Sequence, residues 1–167
     1  SIDSQIVLYT TKLQLKTHLL INCAGLDSDK IAAMAGLKLD VQIIPFRGEY
    51  WLVKPEKEYL VKDLVYPVPD PAFPFLGVHF TRMAGGGLEA GPNAVLAFKR
   101  EGYTRTAFQA NEFMETLFWP GLHSIVKRYW RTGMGEMYRS WNKAAFTKAL
   151  QKLVPEIQAN DLVPGGA

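Results

Sequence analysis

A histidine, an arginine and a tyrosine in this chain have the chemistry to move a proton or to hold an anion. The imidazole of His79 can exchange a proton near neutral pH. Arg47 stands between Pro45 and Gly48, where a strand-like pattern is interrupted, and its planar fork suits a carboxylate. Tyr66 is the first residue of a proline-rich stretch, and its hydroxyl can donate a hydrogen bond at the entrance of the loop that this stretch is expected to form. These three side chains are the candidate site residues.

Each candidate also has a purely structural interpretation, which the sequence leaves open. His79 can be satisfied by a backbone carbonyl or by solvent, and Arg47 can pin a loop carbonyl. Tyr66 can be a packing residue with a hydroxyl tip. Cys23 lies in an apolar run without a nearby base, so we expect a buried small hydrophobe rather than a nucleophile.

The elements around His79 are expected to form the wall of a pocket. Four prolines between Pro67 and Pro74 fix φ and remove backbone donors, which predicts a stiff loop. Apolar and polar residues then alternate over 76–81, the pattern of a strand that buries one face and turns His79 to the other. Glycines at 85–87 predict a turn, followed by a short returning strand that ends at Gly91.

The preceding part of the chain reads as short extended segments and one helix. Residues 6–10 and 13–22 predict two strands, the second continuing into the apolar run. A short helix is predicted over 29–35 and a long strand, bent near Gly48, over 41–53. A further short strand is predicted over 59–64.

Beyond residue 103 the pattern becomes helical. Apolar residues at three- and four-residue spacing predict helices between 111 and 153, interrupted at Pro120 and Gly133, with Trp119, Trp130 and Trp141 in the helix core. Together these patterns predict an α+β fold, a mostly antiparallel β-sheet with flanking helices.

Composition excludes several classes of function. A formal charge of +3 with dispersed basic residues does not predict nucleic-acid binding. The single cysteine rules out an internal disulfide, and three well-separated histidines give no metal-ligand spacing, so no metal site is predicted. No apolar run approaches the roughly 20 residues of a membrane span.

Four stretches carry the most distinctive motifs: residues 20–26 (LINCAGL), 44–50 (IPFRGEY), 66–82 (YPVPDPAFPFLGVHFTR) and 91–103 (GPNAVLAFKREGY). They closely resemble the bacterial L-2-hydroxyglutarate oxidase/dehydrogenase family, FAD-dependent oxidoreductases related to D-amino-acid oxidase and glycine oxidase. The resemblance covers nearly the whole chain and is most specific over 44–103.

The resemblance implies a substrate domain that covers the flavin in the parent enzyme. It implies Arg47, His79 and Tyr66 as substrate-binding residues, with His79 as the candidate catalytic residue, and it places Ala24 and Gly25 near the FAD. The substrate would be L-2-hydroxyglutarate, a small dicarboxylate. A base would remove its alcohol proton while hydride passes to the flavin, giving 2-oxoglutarate.

The chain departs from the family in having no Gly-x-Gly-x-x-Gly motif after an N-terminal strand. We therefore expect a single substrate-binding region, 1–167, cut from a larger flavoenzyme and inactive alone. Residues 1–40 would adjoin the FAD domain, 41–103 form the sheet and 104–156 the helical part, while the N-terminal and C-terminal FAD-binding segments are missing.

The expected partners are the substrate and the missing FAD domain. The surface on which the FAD domain would dock is expected to be exposed and could support self-association. The parent is expected to be cytoplasmic, with peripheral attachment to the inner membrane left open. Two alternative functions also stay open: a related flavoenzyme acting on an amino acid or another hydroxy acid, and a non-catalytic binding module.

Overall fold

A computed structural model describes residues 5–69 and 77–167 of the chain. It divides into two compact units, residues 1–43 and residues 44–167. Helices and antiparallel strands occur together, which confirms the predicted α+β class. Over the described ranges, no helix has both the length and the apolar character needed to cross a membrane.

The first unit begins with a two-stranded antiparallel hairpin. Strand β1 spans Ile6–Tyr9 and strand β2 spans Gln14–Thr17. The hydroxyl of Thr10 accepts a hydrogen bond from the backbone N–H of Leu13 at 3.0 Å and so closes the turn locally. The predicted pair of strands is therefore present, although β2 is shorter than predicted.

A short helix follows in the same unit. One 3₁₀ turn, Gly25–Asp27, leads into helix α1, Ser28–Met34. The helix stops at Gly36, whose φ of +87° is left-handed and whose N–H donates to the carbonyl of Ala33 at 2.9 Å. The predicted helix over 29–35 and its glycine stop are confirmed.

The prediction that the apolar run through Cys23 is buried is wrong. Strand β2 ends at Thr17, and the side chains of Leu19, Ile21 and Cys23 are all exposed. A strand needs neighbours for its backbone N–H and C=O groups, and no strand in the described part of the chain pairs with residues 18–24. Sequence hydrophobicity alone therefore does not bury this segment here.

The second unit is built on a four-stranded antiparallel sheet with the strand order β4-β5-β3-β6. Its strands are β3 (Phe46–Val53), β4 (His79–Arg82), β5 (Leu88–Leu96) and β6 (Leu162–Pro164). This confirms the predicted antiparallel sheet. Residues 70–76, which include most of the predicted proline loop and the start of the predicted strand, lie outside the described residues.

Strand β5 continues past the point where the sequence predicts its end. Gly91 and Pro92 together face the single residue Tyr50 of β3, which makes a β-bulge. Proline cannot donate to the ladder, and the extra residue at the bulge shifts the register of β5 against β3, so that pairing resumes on the other side. A Cβ on Gly91 would lie 2.9 Å from the carbonyl oxygen of Glu49, so the close approach of the two strands requires glycine here.

Two predicted strand segments differ from the structure. Strand β3 begins only at Phe46, so residues 41–45 are not part of a strand. The predicted strand over 59–64 is wrong, because Pro55–Leu60 forms a 3₁₀ helix. Pro55 stands at its first position, where a fixed φ favours helical turns and the absent N–H costs nothing.

Three α-helices lie between β5 and β6 in the chain: α2 (Ala110–Phe118), α3 (Pro120–Trp141) and α4 (Lys143–Leu150). The predicted break at Pro120 is confirmed, because Pro120 is the first residue of α3. The predicted break at Gly133 is wrong, since α3 continues through it. The predicted core position of Trp130 and Trp141 is also wrong, because both side chains are exposed.

The hydrophobic core lies between one face of the sheet, helix α4 and the segment before β6. Phe80 and Leu88 of the sheet and Phe146 and Leu150 of α4 are fully buried. Each such side chain contributes roughly 1.5–3 kcal/mol of transfer free energy. This packing fixes β3, β4 and β5 and therefore fixes every candidate site residue that they carry.

Candidate functional site

One face of the sheet packs on the core, and on the other face the described side chains of β4 are only partly buried. Phe80 is fully buried, so its neighbours His79 and Thr81 lie on the opposite face, as the alternation predicts. Their paired residues in β5 are Gly91 and Glu89, which share that face. We call the side chains of Tyr66, His79 and Thr81 the open-face cluster.

The open-face cluster brings together two of the predicted site residues. The ring of Tyr66 stacks on the imidazole of His79, with centroids 4.3 Å apart. The hydroxyl of Tyr66 lies 3.2 Å from that of Thr81, within hydrogen-bond distance. Nδ1 of His79 lies 2.9 Å from the carbonyl oxygen of Gly77. Because a carbonyl can only accept, Nδ1 carries the hydrogen, and Nε2 is left as the basic nitrogen of the neutral ring.

Tyr50 lies beside this cluster in the sheet. Burial raises the pKa of its hydroxyl above 10.0, and the charges of Glu89 and Tyr66 raise it further. Tyr50 is therefore a neutral hydrogen-bond donor at physiological pH, within electrostatic reach of Tyr66.

Arg47 occupies a different place from His79. Its side chain is buried, with Nη1 donating to the carbonyl oxygen of Thr104 at 2.9 Å and Nη2 donating to Glu49 at 2.7 Å. Arg47 therefore already pins a loop carbonyl, which is the structural interpretation left open above. It also lines a cavity, so the two interpretations are compatible.

Glu49 is the centre of the charged cluster around Arg47. Its Oε1 accepts from Arg47 and, at 3.2 Å, from Nε of Arg105, and its carboxylate also receives a hydrogen bond from the side chain of Ser140. Burial alone would raise the pKa of Glu49. The hydrogen bonds from Ser140 and Arg47 and the charge of Arg105 outweigh burial, so the pKa lies below its ordinary 4.5. Glu49 is therefore ionised at neutral pH.

The cavity beside this cluster has a volume of about 330 Å³. Residues 164–167 line part of it, and its charged and aromatic lining residues are Arg47, Glu49, Tyr50, Trp51, Tyr103 and Arg105. We call it the arginine pocket. Sequence reasoning missed Arg105 and Tyr103. Alternation puts Arg47 and Glu49 on one face of a strand, but no local pattern links Glu49 to Arg105, 56 positions away.

A second ionic group lies where α3 crosses β5. The amide of Asn93 donates to the carbonyl of Glu136 at 2.8 Å, and the N–H of Ala94 donates to the Glu136 carboxylate at 3.1 Å. Arg139 forms an ion pair with Glu136 and donates to Asn93. Burial raises the pKa of Glu136 above 4.5, and the opposing effects of Arg139 and Ala94 do not compensate.

The residues predicted to lie near the flavin belong to the first unit. Gly25 has a φ of +54°, and a Cβ placed on it would meet no atom within 4 Å. The N–H of Ala24 donates to the side chain of Asn22 at 3.2 Å. This open glycine turn fits the approach of a dinucleotide to backbone, but the sequence has no Gly-x-Gly-x-x-Gly motif to hold a pyrophosphate. The FAD contact predicted at Ala24 and Gly25 therefore stays a prediction.

Helices α2 and α3 expose several large apolar side chains. The exposed side chains include Phe118, Val126, Trp130, Met134 and Trp141. A groove of about 260 Å³ with an almost wholly apolar lining runs between α3 and the end of β5. Exposed apolar surface of this kind is characteristic of protein interfaces.

Comparison with protein families and with characterised proteins gives a consistent result. The family described as FAD-dependent oxidoreductase (DAO) matches residues 2–147. A protein of Indibacter alkaliphilus named L-2-hydroxyglutarate dehydrogenase is 62% identical over 96% of this chain. The Homo sapiens protein named L-2-hydroxyglutarate dehydrogenase, mitochondrial, is 47% identical over 97% of the chain. An Escherichia coli protein named L-2-hydroxyglutarate dehydrogenase is 46% identical over 87% of it.

The chain spans only part of these relatives. The matches cover 41% of the Indibacter protein, 35% of the human protein and 34% of the Escherichia coli protein.

Proposed function

The chain belongs to the FAD-dependent oxidoreductase family, and from this we propose that it is the substrate-binding part of an enzyme that oxidises L-2-hydroxyglutarate to 2-oxoglutarate. The observation that carries the proposal is 62% identity, over 96% of the chain, to a protein named for that substrate. The open-face cluster and the arginine pocket give the proposal its residues.

In the proposed enzyme, His79 is the candidate base. Oxidation of the alcohol removes a proton from oxygen and a hydride from carbon, and FAD, when bound by the whole protein, supplies the hydride acceptor. Nδ1 of His79 is fixed by the carbonyl of Gly77, so Nε2 can take the proton. Tyr66 holds the imidazole plane by stacking. Arg47 contributes positive charge toward a carboxylate, and the turn at Ala24 and Gly25 would adjoin the FAD.

The decisive experiment uses the full-length protein. We expect a flavin spectrum that bleaches when L-2-hydroxyglutarate is added without oxygen. His79→Asn should slow bleaching by roughly 100-fold to 10,000-fold, the usual contribution of a positioned acid or base. His123→Asn is the matched control, because His123 is an exposed helical histidine bonded to a backbone carbonyl. It should bleach at the wild-type rate.

Other outcomes would redirect the assignment. A flavin that stays oxidised with L-2-hydroxyglutarate but is reduced by an amino acid, with release of ammonia, would favour the related amine-oxidising enzymes. A full-length protein that is colourless and cannot be reconstituted with FAD would favour a binding module. Equal bleaching by wild type and His79→Asn would remove His79 from the mechanism and leave the substrate unchanged.

We further propose that the exposed apolar face of α2 and α3 contacts the parts of the protein outside this chain. The support is the exposure of Phe118 and Trp130, together with the 41% share of the Indibacter relative that the chain spans. The 167-residue chain should then self-associate through this face. Light scattering over a range of concentrations tests this, and a monomer throughout would count against it.

The site of action in the cell stays a proposal. Relatives from animals carry the word mitochondrial in their names, and the two bacterial relatives above do not. We propose a cytoplasmic enzyme, with peripheral attachment to the inner membrane as the alternative. Fractionation of cells with and without a high-salt wash would separate the two.

A further inference from the structure

We propose that the arginine pocket binds a carboxylate of the substrate and that Arg105 is the residue that holds it. This inference rests on the proposed function for the identity of the ligand, a small dicarboxylate. It adds a binding residue, Arg105, that neither the sequence motifs nor the predicted site residues include.

The first argument is charge. The charged side chains that line the pocket are the guanidinium groups of Arg47 and Arg105 and the carboxylate of Glu49, and their charges sum to one net positive charge. Glu49 already accepts from both arginines and from Ser140, so its acceptor capacity is largely used. An anionic ligand would balance the remaining charge and would find its partner among the arginine N–H groups that do not face Glu49.

The second argument is the state of Arg105 itself. Its Nε donates to Glu49 and its Nη2 donates to the carbonyl oxygen of Ser140 at 2.6 Å. Its Cζ also lies 5.2 Å from the ring centroid of Trp141, so the plane of the group is fixed from a third side. These side-chain hydrogen bonds are made by Nε and Nη2, and the side chain is 42% exposed. The guanidinium is therefore held in place and still accessible.

The third argument compares the two arginines. Arg47 is buried and has a protein acceptor at each terminal nitrogen, so it supplies charge more than a binding surface. Arg105 lies at the accessible side of the same carboxylate. Tyr50 and Tyr103 line the same cavity. A volume of about 330 Å³ stands at the lower end of the range for small-molecule sites, roughly 300–1,000 Å³.

The test measures binding of glutarate to the full-length protein by calorimetry. Glutarate has two carboxylates and no hydroxyl to oxidise, so the readout is independent of turnover. Arg105→Gln should weaken binding about 10-fold to 100-fold, the range for a lost hydrogen bond to a charged group. Arg131→Gln is the matched control, since Arg131 also lies against an exposed tryptophan, Trp130, away from the pocket. It should bind glutarate like the wild type.

Chemical modification provides a test that needs no variant. Phenylglyoxal should label both Arg105 and Arg131, and glutarate should protect only Arg105, as read from peptide masses. If Arg105→Gln does not fold, Arg105→Lys replaces it, with weaker binding expected because lysine keeps the charge and loses the fork.

Failure of this inference can be told from failure of the proposed function. Wild-type affinity in folded Arg105→Gln, absent protection of Arg105, or no glutarate binding by the wild type would each overturn the inference, even if L-2-hydroxyglutarate is oxidised. Arg105-dependent glutarate binding in a protein that does not oxidise L-2-hydroxyglutarate would uphold the pocket and overturn the proposed function.

Discussion

Replacing Glu49 by glutamine should destabilise this fold much more than removing an equally short ion pair elsewhere in the same unit. The Arg47–Glu49 pair and the Arg82–Glu58 pair both have an N–O distance of 2.7 Å. They differ in burial: the side chains are 7% and 11% exposed in the first pair and 33% and 22% exposed in the second. The two pairs are therefore matched in distance and differ in burial, and Glu49 also accepts from Arg105 and Ser140.

The size of the expected destabilisation follows from the buried arginine charge that glutamine leaves uncompensated. Removing one partner of a buried pair costs roughly 3–5 kcal/mol, because the other charge stays buried without compensation. The amide oxygen of glutamine can still accept one hydrogen bond, which returns about 1 kcal/mol. Glu49→Gln should therefore lower the free energy of unfolding by about 2–4 kcal/mol. Glu58→Gln should lower it by less, about 1 kcal/mol, because the pair is partly open to solvent and Arg82 keeps its hydrogen bonds to the carbonyl oxygens of Val61 and Glu58.

The assay is urea unfolding of the purified protein at pH 7, with hydrogen exchange of the β3 amides to localise the loss. The pKa of Glu49 is depressed in the folded state, so the unfolded chain binds more protons below about pH 4.5. The stability that Glu49 contributes is therefore present above pH 4.5 and is lost as the pH falls below it. Glu49→Gln should lack this loss. Equal costs for Glu49→Gln and Glu58→Gln at pH 7 would refute the argument from burial.

Two further substitutions follow from the same structure. Burial raises the pKa of Glu136, so its contribution to stability is complete below pH 4.5 and declines as the pH rises through its folded-state pKa. Glu136→Gln should remove this decline, as measured by urea unfolding midpoints from pH 4 to pH 8. A pH dependence equal to that of the wild type would contradict the prediction. Gly91→Ala should cost roughly 1–3 kcal/mol, because the new Cβ would stand 2.9 Å from the carbonyl oxygen of Glu49. Gly85→Ala, which meets no atom within 4 Å, is the control for the glycine substitution and should be near neutral in thermal unfolding.

The sequence predicts those parts of the fold that depend on local patterns. Alternation finds the buried face of β4, and the glycine stop finds the end of α1. The errors occur where long-range pairing decides. The apolar run through Cys23 is exposed because no described strand pairs with it, and β5 continues through Gly91 because β3 supplies a partner on the far side of the bulge. Whether a segment has a pairing partner cannot be predicted from its own residues.

The candidate site residues also fall into two groups: those that a local pattern predicts and those that long-range contacts position. His79 and Tyr66 come from the proline-rich motif, and the structure stacks their rings, which the alternation did not require. Arg47 stands out in sequence because of its neighbours, yet its acceptors include Thr104, 57 positions away. Arg105 carries no sequence signal, because its position beside Glu49 depends on the loop after β5 returning to the edge of β3.

The order of side chains along β3 bears on why this ionic cluster exists at all. On its inner face the strand passes from Val53 and Trp51, which pack on the core, to Glu49 and Arg47, which form a buried ion pair. Apolar residues of similar volume would hold two layers together at least as well, since a buried ion pair rarely gives net stability. Stability alone therefore does not account for ionic residues at this end of the strand. A cavity that needs a fixed positive group does account for them, because Glu49 orients Arg105 at its rim while Arg47 keeps the net charge positive.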